Sequence, residues 1–120
     1  MQQLDEILDR VLAESDGALV AAVAGVDGLV IEQRPEGSTD LALCVAELSG
    51  AVTALRRALQ GGLGGGGIGA LQVEGDYLRL LVHHATAQHY VLVALPVAAD
   101  GADARAALAE AANAVRELVA

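Results

Sequence analysis

The sequence predicts an α/β domain built on a five-stranded antiparallel sheet of order 2-1-5-4-3, with helices on both faces. Three observations lead there. The hydrophobic period switches along the chain between helical and extended spacing, giving the element order α-β-β-α-β-β-β-α. Short turns join the first strand to the second, the third to the fourth and the fourth to the fifth, so each of these pairs is antiparallel. Only the first and fifth strands, residues 18–24 (ALVAAVA) and 90–95 (YVLVAL), are apolar on both parities. Strands of that kind are covered on both faces, so these two lie side by side at the centre.

Taken in order, residues 3–14 form a helix, because Leu4, Ile7, Leu8, Val11 and Leu12 recur at i, i+3, i+4, i+7 and i+8. Asp5 and Glu6 suit the positive end of its dipole. Ser15, Asp16 and Gly17 end it. After the first strand, Asp27-Gly28 is a hairpin signal. Residues 29–33 (LVIEQ) return as a shorter strand that turns polar early, as an edge strand does. A loop with Pro35 and Gly37 follows, and Ser38, Thr39 or Asp40 caps the next helix.

That helix, residues 40–60, is the longest helical pattern in the chain. Leu41, Val45, Leu48, Val52, Leu55 and Leu59 form one stripe toward its own sheet. On the opposite side Ala46, Gly50 and Ala54 recur every four residues, where a solvated helix usually carries Lys, Glu or Gln. Gly50 costs about 1 kcal/mol relative to Ala inside a helix, so Ala-rich composition does not account for it. The run 61–69 (GGLGGGGIG) is too rich in glycine to continue the helix and reads as a flexible connector. Ala70–Glu74 alternates, with Leu71 and Val73 in register, and is an open edge of the sheet. Residues 77–83 and 90–95 complete the sheet. Asp100 or Asp103 then caps a last helix that buries Leu108, Ala111, Ala112, Val115 and Val119. The first and last helices share one face, which leaves residues 40–60 by themselves on the other.

Composition narrows the function. The chain has 120 residues and a net charge of −9, and it carries seven Arg and no Lys. One domain spanning residues 1–120 is expected at that length. The acidic balance argues against nucleic acid, which needs a cationic surface to displace counterions. Without Lys there is no Walker A lysine and no Schiff-base lysine. A lone Cys44 leaves no intramolecular disulfide and fits a reducing compartment. The acidic, amphipathic start does not read as a signal peptide. No apolar run reaches the roughly 20 residues of a membrane span, so membrane insertion is not expected and a cytoplasmic protein is.

No catalytic, cofactor or metal site emerges. Gly62, Gly64 and Gly67 spell a GxGxxG, but it follows a helix and precedes a strand, the reverse of the order that aims helix amides at a phosphate. His83 and His84 are adjacent on a strand and point to opposite faces, so they do not converge with His89 on one ion. Cys44 has no base beside it in the pattern and reads as a small apolar residue. Arg56 and Arg57 near the helix C-terminus suit its dipole, and Arg57 lies on the side of Gly50 and Ala54, as does Glu47.

This order of elements, with the VAGVDGLVI hairpin, the lone central helix and the strand-strand-strand-helix tail, resembles the roadblock family across nearly the whole chain. That family comprises the dynein light chain roadblock and the bacterial gliding-protein regulators. The resemblance implies a profilin-like three-layer fold and a non-catalytic role. It implies a homodimer in which the long helix and the third strand meet their counterparts, and a small Ras-like GTPase as partner, with GTPase activation acting through the GTPase's own groups. A structural adaptor of a larger assembly is the other role it allows. The residues expected at the dimer and partner interface are Leu43, Ala46, Glu47, Gly50, Ala54 and Arg57 of the helix, with Ala70, Leu71, Gln72, Val73 and Glu74 of the edge strand. The loose run from Gly61 to Gly67 departs from the family's pattern.

Overall fold

The structure, a computed structural model, describes residues 3–37 and 39–119. Its elements are α1 (Leu4–Glu14), β1 (Val20–Gly25), β2 (Val30–Arg34), α2 (Ala42–Arg57), β3 (Ala70–Glu74), β4 (Leu78–His84), β5 (His89–Pro96) and α3 (Ala102–Val119). The strands form one antiparallel sheet in the order β2-β1-β5-β4-β3. The arrangement is the one read from the sequence.

The two faces of the sheet carry separate cores. On one face Ile7, Leu8 and Val11 of α1 and Leu108, Ala112 and Val115 of α3 bury Ala21, Val23, Val91, Val93 and Leu95. On the other, Leu41, Val45, Leu48 and Val52 cover Val20, Ala22, Ala24, Val82, Tyr90 and Leu92. Both parities of β1 are buried throughout, as its uninterrupted apolar run requires. Each large aliphatic side chain so buried contributes about 1.5–3 kcal/mol.

Local chemistry sets the element ends. Gly28 turns the first hairpin at φ 92°, a conformation that favours glycine, and Asp27 Oδ1 accepts the Leu29 N–H at 3.2 Å. The ladder shifts register between Val23 and Ala24, a bulge the Asp-Gly signal did not announce. Asp40 Oδ1 accepts the Ala42 N–H at 3.0 Å and starts α2. Ser38, another expected cap, lies outside the described residues. Asp100 starts α3 in the same way, with the Ala102 N–H at 3.0 Å, so Asp103 falls inside the first turn instead.

Two expectations fail along α2. The glycine run does not stop the helix at Gln60, because a π-helical turn continues from Ala58 to Leu63. It closes at Gly64, whose φ of 63° lets the Gly65 N–H reach the Leu59 carbonyl at 2.7 Å. Glycine is unfavourable within a turn but favoured as its left-handed terminus, and the second effect was overlooked. Leu55, expected in the buried stripe, is 43% exposed. The stripe follows the 3.6-residue repeat through Leu41, Val45, Leu48, Ser49 and Val52, then passes to the half-buried Arg56 and Leu59, leaving Leu55 on its margin.

Candidate functional site

The outer flank of α2 is open along its length. Leu43 is 72% exposed, and Ala46, Glu47, Gly50, Ala54 and Arg57 are all exposed. Among the described residues a Cβ at Gly50 would meet nothing within 4 Å, so none of their contacts requires the missing side chain. Ala46 differs. Its Cα lies 3.4 Å from where a Cβ of Gly28 would stand, so the first hairpin turn packs close to it and already favours a small residue there.

At one edge of the sheet, β3 pairs with β4 through Ala70↔His83 to Glu74↔Arg79 and is the last strand on its side. Its five residues do different things. Leu71 packs into the α2-face core, while Val73 is 46% exposed on the same face. Gln72 and Glu74 project to the opposite face and are held by their own chain. Arg105 Nη1 donates to Gln72 Oε1 at 3.1 Å, and Arg79 Nη2 pairs with Glu74 Oε1 at 2.7 Å. Arg79 also donates to the carbonyls of Ala99 and Val97, which ties the β3–β4 edge to the loop before α3. Ala70 is exposed.

Between the start of α2 and the β3–β4 edge runs an apolar groove of about 400 Å³, lined among others by Leu41, Cys44, Val73, Leu78, Leu80 and Leu92. Cys44, a small apolar residue by its pattern, is exposed and lines this groove. Periodicity did not reveal the groove, because it arises where α2 leaves part of the sheet uncovered.

One buried polar contact fixes α2 on the sheet. Ser49 Oγ donates to the Gly25 carbonyl at 3.1 Å and lies 2.7 Å from the Tyr90 hydroxyl. The serine proton is used on Gly25, so the phenol donates and the serine oxygen accepts. Burial pushes the Tyr90 hydroxyl above its ordinary value. Ser49 was missed in the sequence, where a lone serine beside Leu48 carries no periodic signal.

The remaining candidates do not assemble. His83 Nδ1 contacts the His84 carbonyl at 3.1 Å, and His89 Nδ1 contacts Thr86 Oγ1 at 2.8 Å. Among the described residues no group of three His, Cys, Asp or Glu side chains is placed to hold a metal. Of the GxGxxG glycines, Gly62 lies in the π-helical turn and Gly64 and Gly67 between it and β3, so a strand and not a helix N-terminus follows them. Among the described residues no helix is long and apolar enough to cross a membrane.

No protein-family model matches the chain, and no curated protein does. Solved structures do. A Roadblock/LC7 domain from Streptomyces avermitilis superposes with a TM-score of 0.85 at 23% identity, covering 98% of each chain. MglB in a tetrameric arrangement superposes with a TM-score of 0.85 at 20% identity, over 96% of this chain and 86% of that one. The gliding protein MglB from Thermus thermophilus gives 0.85 at 20% identity, over 96% and 87%. The chain therefore has the roadblock fold. A fold hosts many functions, and these identities carry the architecture only.

Proposed function

We propose that this roadblock-fold chain is a non-catalytic regulatory module that pairs with a second copy of itself and, as a pair, binds and regulates a small Ras-like GTPase. The observation that carries the reading is the open flank of α2 around Gly50, together with the unpaired edge of β3. An exposed sheet edge is a liability unless it is paired, and a glycine that its own chain does not need lets another backbone approach. The likeness to MglB structures, one of them a tetrameric arrangement, supports self-association. The GTPase comes from the family resemblance.

A two-fold axis at Gly50 would run the two α2 helices antiparallel. Leu43 and Arg57 each lie seven residues from Gly50, so each would meet the other's counterpart. Glu47 would then stand one turn from Arg57 of the partner subunit, a complementary pair repeated twice. With β3 added to its counterpart, the two sheets would join through their edges. Leu43, Ala46, Glu47, Gly50, Ala54 and Arg57, with Ala70 to Glu74, form this proposed surface. Leu71, Gln72 and Glu74 are partly committed to their own chain, so Val73 is the strand's main apolar contribution.

The test of the GTPase reading is direct. A small Ras-like GTPase from the same cell is purified, and its binding to this protein and its GTP hydrolysis are measured with and without it. Binding with a changed hydrolysis rate supports regulation. Binding with an unchanged rate replaces regulation with an adaptor role, and no binding overturns the GTPase partner.

A further inference from the structure

His84 lies on the α2 face of the sheet, in line with Val82 and Tyr90 and within electrostatic reach of Arg56, at the seam between sheet and helix. It lies across from Tyr90 in the β4–β5 register, and the two rings are 6.0 Å apart between centroids, tilted by 43°. Among the described residues its Nδ1 is buried with no hydrogen-bond partner. Its backbone N–H is used on the Gly69 carbonyl, in the connector before β3. The charged and titratable groups around it come from three elements: Arg56 on α2, its neighbour His83 on β4, and the neutral Tyr90 hydroxyl on β5. None of these is a carboxylate that could balance an imidazolium.

The part of α2 above this seam is also its least anchored part. The buried residues of α2 are Val45, Leu48, Ser49 and Val52, all in its first three turns. Beyond them Leu55 is exposed, Arg56 is half-buried, and no residue of the π-helical turn Ala58–Leu63 is buried. Protonation of His84 would place an N–H without an acceptor inside the seam and a cation beneath Arg56. The weakly held end of the helix is what can yield.

We propose that His84 is a pH-sensitive latch, its neutral ring letting residues 53–63 lie on the sheet and its protonation releasing them while residues 42–52 stay in place. Burial and the nearby Arg56 and His83 hold the imidazole below its ordinary value. The folded chain therefore takes up this proton less readily than the unfolded chain. The latch is closed above about pH 6.5 and strains as pH falls below it. The device is built into the single chain, and since Ala54 and Arg57 also belong to the proposed self-interface, dilution separates the two effects.

The test uses the whole protein at concentrations from dilute upward, with amide exchange read by NMR between pH 5 and 7.5. The three histidine rings are titrated in the same samples. The expected result is a His84 midpoint below 6.5 and a loss of protection at residues 53–63 that follows it, with residues 45–52 unchanged. His84→Leu should abolish that loss, and Arg56→Gln should move the His84 midpoint upward. A His84 midpoint at or above 6.5, or protection at 53–63 that stays flat through the titration, overturns the latch. So does a pH-dependent loss that persists in His84→Leu. If that variant does not fold, the wild-type titration and Arg56→Gln decide the matter.

Discussion

Removing the Ser49 hydroxyl should cost more than removing the Tyr90 hydroxyl, although the two share one hydrogen bond. In Ser49→Ala two buried groups each lose a hydrogen bond. The Gly25 carbonyl loses its 3.1 Å serine donor but keeps the Gly28 N–H at 3.0 Å, and the Tyr90 phenol loses its 2.7 Å acceptor, keeping only a 3.5 Å contact to the Val45 carbonyl. A lost hydrogen bond costs about 0.5–1.5 kcal/mol and a buried polar group left nearly unpaired about 1–3 kcal/mol, so a loss of about 2–3 kcal/mol is expected. In Tyr90→Phe the serine keeps its bond to Gly25 and loses only a donor, which costs about 0.5–1.5 kcal/mol. Urea unfolding followed by far-UV circular dichroism measures both. With a slope of roughly 2 kcal/mol per molar, Ser49→Ala should lower the midpoint by about 1 M or more and Tyr90→Phe by less than about 0.8 M. A neutral Ser49→Ala, or the reverse order of costs, would refute the assignment of donor and acceptor on which the reasoning rests.

Three further perturbations separate the core from the surface. Leu92→Ala removes a fully buried side chain and should cost about 2–5 kcal/mol, whereas Leu43→Ala should leave unfolding within about 0.5 kcal/mol and weaken self-association instead. Gly28→Ala should destabilise by at least about 1 kcal/mol, because φ is 92° and the new Cβ would stand 3.4 Å from Ala46 Cα; a neutral result in thermal unfolding would contradict that turn. Tyr90 is held above its ordinary 10.0 mainly by burial, so its contribution to stability is complete below pH 10 and is lost as pH rises further. Urea midpoints between pH 9 and 11 should show a decline that Tyr90→Phe removes.

The strand order was legible because two strands carried a distinctive pattern. Residues 18–24 and 90–95 are apolar on both parities, and short turns left one arrangement that put them together. The lone position of α2 followed from the same count of faces. What stayed hidden depends on contacts between distant residues. Ser49 is forty-one residues from Tyr90, and nothing in its neighbourhood marks it as buried. Arg79 is a lone charge on an apolar strand until the loop before α3 brings two carbonyls to it. The π-helical turn was hidden for another reason, since glycine weakens a helix interior and strengthens a helix end, and composition does not say which role applies. The proposed surface was legible at Gly50, whose helical position carries a known cost. The commitment of Gln72 and Glu74 to Arg105 and Arg79 was not, since neither pairing has a sequence signal.

Self-association through α2 and β3 is the central claim, and light scattering on the purified protein at micromolar concentration tests it most directly. The chain mass is 12.1 kDa, so the wild type should give about twice that or a higher even multiple, and Gly50→Arg should give a folded 12.1 kDa monomer. A wild-type mass of 12.1 kDa at those concentrations would contradict the claim, and an undiminished oligomer in Gly50→Arg would move the contact away from α2.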